Sequence, residues 1–81
     1  MYYTYLIKSK IKDWVYIGST KNLVTRFNDH NSRKVKSTKP YTPFELIYYE
    51  GYRNYRLARK REIELKRKGQ QKELLFQRLG L

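Results

Sequence analysis

The chain has no cysteine, two prolines, four glycines and a single histidine, and only seven of its 81 residues are acidic. Without cysteine there are no disulfide staples, no thiolate metal sites and no thiol nucleophile. No apolar run approaches the roughly 20 residues of a membrane-spanning helix, and the N-terminus lacks a signal-peptide pattern, so a cytoplasmic protein is expected. Repeats and low-complexity tracts are also missing. The length predicts one domain over residues 1–81, of a size that buries only roughly 60–65% of its unfolded surface. Little is then left for a deep cleft, and the core must draw on nine tyrosines and three phenylalanines.

What the chain has in excess is positive charge. Nineteen Lys and Arg set against seven acids give a formal charge of +12. Residues 53–68 carry eight of these cations (Arg53, Arg56, Arg59, Lys60, Arg61, Lys66, Arg67, Lys68) and two acids. The stretch from Arg33 to Lys39 adds Arg33, Lys34, Lys36 and Lys39. A field this positive favours phosphate backbones, because binding releases condensed counterions. Nucleic acid is the expected partner, and no membrane partner is expected, because no long helix pairs this charge with a broad apolar face. A monomer is the favoured state.

The pattern along the chain predicts an α+β domain, a three-stranded antiparallel sheet flanked by helices. Tyr2–Lys8 reads as a strand, Lys10–Asp13 as a polar turn and Trp14–Gly18 as the second strand of a hairpin. Thr20 or Asn22 can cap a helix running to about His30, with Leu23, Val24 and Phe27 facing inward. Asn31–Pro43 is polar and lysine-rich and reads as a long exposed loop, followed by a third strand over Phe44–Tyr52. Asn54 can cap a helix to about Lys68 that Gly69 stops. Gln70–Leu79 makes a last helix with Leu74, Leu75 and Leu79 as its apolar stripe.

Several polar residues are placed to do chemistry on one face. Arg26 and His30 are four apart, one turn along the first helix. Arg offers a planar fork matched to phosphate oxygens, and a histidine near its reference pKa of about 6.5 exchanges protons at neutral pH. Gly18 is read as a tight exit from the second strand, needed for positive φ or for close approach of a ligand. Tyr16 shares its side, and Tyr5 pairs across the hairpin. Each phenol would need a cationic neighbour or a metal-bound water to assist it as a base. Glu62 lies beside the buried stripe of its helix, with Glu64 rotated about 200° away. A lone carboxylate either neutralises neighbouring cations or holds a magnesium ion that keeps its other ligands as water and phosphate.

Tyr3-Thr4-Tyr5, Tyr16-Ile17-Gly18, Arg26, His30 and Glu62, in that order, resemble the GIY-YIG nuclease domain. More narrowly the chain is similar to the family's small stand-alone bacterial members, through YYTYLIKS, YIGSTKNL, KVKSTKP, FELIYYE and the helix bearing Ala58, Arg61 and Glu62. The first motif's glycine and isoleucine are here Tyr3 and Thr4, and a lysine that some relatives carry after the second motif is Ser19. The resemblance implies that Tyr5 and Tyr16 activate or position the attacking water and that Arg26 stabilises charge on the phosphate. It further implies that His30 assists proton transfer, that Gly18 is the motif glycine and that Glu62 binds one Mg2+ or Mn2+. The implied activity is metal-dependent DNA endonuclease or nickase chemistry, directed to DNA structure in repair or recombination. Lys21, Arg33, Lys34, Lys36, Lys39, Arg53, Arg56, Arg59 and Lys60 would grip the nucleic acid. The alternative is a nucleic-acid-binding protein on this fold with little or no catalysis, whose exposed tyrosines stack on unpaired bases.

Overall fold

A computed structural model describes residues 1–67 and 69–81. Strands β1 (Tyr2–Ser9), β2 (Val15–Thr20) and β3 (Phe44–Tyr52) form one antiparallel sheet in the order β2-β1-β3. Helix α1 (Leu23–Asn31) follows β2, a 3-10 turn (Lys39–Tyr41) precedes β3, and α2 (Tyr55–Lys66) and α3 (Gln70–Leu79) close the chain. This is the expected α+β architecture. Lys68, to which the second helix was expected to run, lies outside the described residues.

Side-chain alternation divides the core into two layers. On one face Tyr5, Ile7 and Phe44 pack under α1 with Trp14, Tyr16, Leu23, Phe27, Tyr41 and Leu46. On the other, Leu6, Ile17, Leu65 and Leu75 form the core with Val15, Ile47, Tyr48, Phe76 and Leu79. A bulge between Leu6 and Ile7 leaves Ile47 unopposed, so adjacent Ile47 and Tyr48 reach the same layer while Leu46 faces the other. Local chemistry sets the helix starts. The Asn22 side chain accepts from the Thr25 amide at 3.1 Å, and Asn54 accepts from Leu57 at 3.0 Å.

Several boundaries and faces differ from the sequence expectation. β2 runs through Gly18 to Thr20, so Gly18 sits inside the strand and not at a tight exit. Val24 is 70% exposed, because α1 turns only Leu23 and Phe27 onto the sheet. Leu74 is half exposed, whereas Leu75, Phe76 and Leu79 pack inward. Helix α2 ends at Lys66, and Gly69 opens α3.

The segment after α1 is not a freely exposed loop. Asn31 pins it to β3 by accepting from the Phe44 amide at 2.7 Å and donating to its carbonyl at 3.2 Å. Trp14 stacks on Tyr41 with centroids 3.9 Å apart, and Thr38 is fully buried. No helix among the described residues is long and apolar enough to cross a membrane.

Leu65 carries the packing of α2 on the sheet at 1% exposure. Leu65→Ala should destabilise the fold by roughly 2–5 kcal/mol, read as a lower denaturant midpoint with unchanged m-value.

Candidate active site

The hairpin register sets Tyr5 opposite Gly18. The Tyr5 phenol lies across that glycine. A Cβ at position 18 would stand 2.6 Å from the phenolic oxygen, 2.7 Å from Cζ and 3.0 Å from Cε2 of Tyr16. Close approach of an internal side chain, not a positive φ, is therefore what the glycine permits. Tyr16, two residues back on the same side, has its ring centroid 6.3 Å from Tyr5 and 5.0 Å from His30.

His30 differs from its expected placement. It is fully buried in the last turn of α1, not displayed on its flank. Nε2 lies 2.8 Å from the Tyr5 hydroxyl and Nδ1 lies 2.8 Å from Oγ1 of Thr38. Thr38 in turn donates its own proton to the Val35 carbonyl at 3.3 Å. That direction fixes the chain of bonds: Nδ1–H donates to Thr38, so bare Nε2 accepts the Tyr5 proton. Burial, with Arg26 nearby, pulls the His30 pKa down to about 4, so the ring is neutral at physiological pH. In this form it accepts the Tyr5 hydroxyl proton and holds the phenol in place.

Tyr5 is equally far from spontaneous ionisation. Burial pushes its phenol up to about 12, even though the Arg26 guanidinium beside the oxygen opposes the shift. With its proton committed to His30, the phenolic oxygen has lone pairs to offer Arg26 and a water. Arg26 is half-buried, and burial lowers its pKa less than the hydrogen bond to Tyr5 and the surrounding phenols and Asp29 raise it.

Glu62 does not share this face. Ser19, its hydrogen-bond partner, alternates with Gly18 and so points to the α2 side of the sheet. The carboxylate is 4% exposed and both oxygens are engaged. Oε1 accepts from the Ser19 hydroxyl at 2.5 Å; Oε2 accepts from Arg59 and Lys66, each at 2.6 Å. Burial raises its pKa, but the Lys66, Ser19 and Arg59 hydrogen bonds outweigh this and hold it below the usual value. Lys66 also lies 5.5 Å over the Tyr16 ring, so it joins the two faces around edge strand β2. The expected convergence on one face is corrected to a site wrapped around this edge.

Among the described residues no cluster of three or more His, Asp or Glu could hold a metal. Glu62 nevertheless fits a hydrated Mg2+ or Mn2+ needing one protein carboxylate, because its two cationic partners are about half exposed and can release it. The other expected contacts vary. Lys21, Arg33, Lys34, Lys36, Lys39, Arg53, Arg56 and Lys60 are exposed. Arg59 is instead bound to Glu62, and Arg61 is tied to Glu50 at 3.0 Å and to Glu64.

Sequence reasoning passed over three site residues. Lys66 was visible as an i,i+4 partner of Glu62, and Ser19 by strand alternation. Thr38 sits in a polar stretch and carries no signal of burial.

Comparison with known proteins came to a consistent result. The family described as GIY-YIG catalytic domain matches residues 1–74. The UPF0213 protein CPE1444 of Clostridium perfringens is 37% identical over 68 residues, 83% of this chain and 72% of that one. UPF0213 protein YazA of Bacillus subtilis is 34% identical over 76 residues, 93% and 76% of the two chains. UPF0213 protein SSP2268 of Staphylococcus saprophyticus is 35% identical over 74 residues, 90% and 89% respectively. No solved structure matches.

Two outcomes are expected from this geometry. Gly18→Ala should cost about 1–3 kcal/mol in a thermal melt, since Tyr5 must shift to admit the methyl group. His30 gives the second. Unfolded histidine titrates near 6.5 and the folded residue near 4, so its contribution is complete above 6.5 and is lost as pH falls toward 4. Glu50 and Glu62, both held below 4.5, lose theirs only at lower pH. Lowering the pH from about 7 to about 5 should therefore reduce the wild-type Tm, and His30→Gln should remove that dependence.

Proposed function

The chain belongs to the GIY-YIG catalytic domain family, a nuclease family whose substrate is nucleic acid, and on that premise we propose that it is a small divalent-metal-dependent DNA endonuclease or nickase. Its specificity is for DNA structure such as nicks, flaps and branches, a substrate range suited to repair or recombination. The observation that carries this reading is the Tyr5–His30–Thr38 chain. It holds a neutral phenol, proton turned inward and oxygen beside Arg26, next to Tyr16 on an open edge of the sheet.

In this reading the scissile phosphate docks at Arg26, whose fork neutralises charge as it builds on the phosphoryl oxygens. Tyr5 and Tyr16 position the attacking water through their oxygens, and His30 keeps Tyr5 in the required rotamer. Lys66 and Arg59 turn from Glu62 to the phosphates, and Glu62 would then hold Mg2+ or Mn2+. The bound ion supplies Lewis acidity at the phosphate and the leaving oxygen. Lys21, Arg33, Lys34, Lys36, Lys39, Arg53, Arg56 and Lys60 grip the flanking backbone.

The full occupancy of Glu62 by this chain's own cations favours one second reading, a binding protein on the same fold with little or no turnover. Cleavage of nicked, branched and linear DNA with Mg2+ or Mn2+ separates the two. Wild type should cut only with metal, while Arg26→Ala and Glu62→Ala should stay folded at the assay temperature, Glu62→Ala with a lowered Tm, bind DNA and lose at least about 100-fold in rate. Tight, salt-sensitive binding without cuts in any variant would establish the second reading.

A further inference from the structure

The α1 side of the sheet is only partly covered. Its apolar cluster takes in Tyr5, Ile7, Tyr16, Phe44 and Leu46 but neither Tyr3 nor Tyr49, although both residues project from the same face. Tyr49 lies directly opposite Tyr5 across β1 and β3, and Tyr3 lies opposite Gly51, over which the exposed Met1 side chain sits in place of a Cβ. Tyr49 is 54% exposed and Tyr3 half-buried. Their rings meet edge to face, with centroids 5.9 Å apart and planes at 73°. A pair in this arrangement is mutually braced yet leaves ring surface open to solvent.

The surroundings say what would cover it. Thr20 pairs with Tyr3 and Tyr52 pairs with Tyr2, so exposed Lys21 and Arg53 follow the two edge strands at this same end of the sheet. Aromatic faces framed by cations, on a chain of charge +12, match a polyanion that also carries flat rings. Bases inside a duplex are stacked on one another, so a ring on an open sheet is reached only by a base that has left its pair. Because neighbouring strands are about 4.8 Å apart, Tyr49 and Tyr3 stand within a nucleotide's reach of the Tyr5–Arg26 centre.

We infer that Tyr3 and Tyr49 form a stacking platform for unpaired bases of a DNA strand that enters beside the phosphate held at Arg26. The choice of DNA, and of Arg26 as the phosphate position, rests on the nuclease reading; the stacking itself does not. The platform gives a physical basis for preferring flaps and branches to intact duplex.

The test is equilibrium binding without divalent metal, to a blunt duplex, to the same duplex bearing a DNA flap, and to one bearing an RNA flap of the same sequence. The unpaired bases next to the junction carry 2-aminopurine. Wild type should bind the DNA flap most tightly and quench the probe. Tyr3→Ala/Tyr49→Ala should weaken flap binding by about tenfold or more, from stacking of about 1–3 kcal/mol per base at 1.4 kcal/mol per tenfold, and should leave blunt-duplex binding within about twofold. Tyr3→Phe/Tyr49→Phe keeps the rings and should keep both affinity and quenching. Equal losses on flap and duplex, no loss at all, or a Phe pair as weak as the Ala pair would overturn the platform. So would tighter binding of the RNA flap. Should the Ala pair fail to fold, unquenched 2-aminopurine in the wild-type complex has the same force. Flap-selective binding by a protein that cuts nothing would leave the platform standing and remove the nuclease reading alone.

Discussion

The burial of one phenol constrains most of this structure. In so small a domain a tyrosine on the central strand spans much of the layer, and its hydroxyl ends inside the protein. A buried hydroxyl without a partner costs about 1–3 kcal/mol, a sizeable share of a total stability of about 5–15 kcal/mol. The partner is His30, which can accept only if it is neutral and only if its other nitrogen also has a partner. Thr38 meets that need, which draws the middle of a lysine-rich segment into the core. Gly18 completes the arrangement by leaving room for the ring. Three positions distant in sequence from Tyr5 are thus set by its one oxygen atom, and α1 is oriented on the sheet as a consequence.

The acids answer to a second constraint. With seven carboxylates facing nineteen Lys and Arg, self-repulsion is high, and each acid that is buried must reduce it where it is most concentrated. Glu50 does so at one edge of the sheet, taking Arg61, Tyr48 and Tyr52 together, and burial with the carboxylate as acceptor pushes the Tyr52 phenol up to about 12. Glu62 does so at the other edge with Arg59, Lys66 and Ser19. The difference between the two lies in their partners' exposure. Arg61 is mostly buried, and its bonds to Glu50 make a fixed clamp, whereas Arg59 and Lys66 are about half exposed and can leave.

Much of this was legible beforehand. The third strand and last helix fall where the pattern put them, both asparagine caps are used, and strand alternation paired Tyr5 with the Gly18 side of the hairpin. The errors share one cause: periodicity says which residues share a face but not what comes to cover it. Arg26 and His30 do lie one turn apart. The histidine is buried because the segment after α1 folds over it, and that segment looks like a solvated loop until Thr38 is seen to be its hydrogen-bond partner. Val24 and Leu74 fail the same way, as apolar residues on short helices whose neighbours leave them uncovered. The period of α2 alone does not reveal which side of the sheet Glu62 takes. The parity of Ser19 against Gly18 carried the correct face all along.

The placement of Glu62 bears on how the nuclease reading can work at all. A buried carboxylate stripped of its cations is left uncompensated at a cost of about 3–5 kcal/mol, so it is in no position to surrender Arg59 and Lys66 for nothing. A phosphate backbone arriving at β2 competes for those cations, and a divalent ion competes for the carboxylate. A phosphate alone strands the buried carboxylate, and a metal alone turns Arg59 and Lys66 out to solvent; both together satisfy every charge. Because coupling of two binding events is reciprocal, DNA should strengthen the site's hold on metal by the same factor that metal strengthens its hold on DNA. Edge strand β2 makes this possible. With no strand beyond it, Lys66 can reach both Glu62 on one face and Tyr16 on the other, and so links the site's two halves without any element having to move.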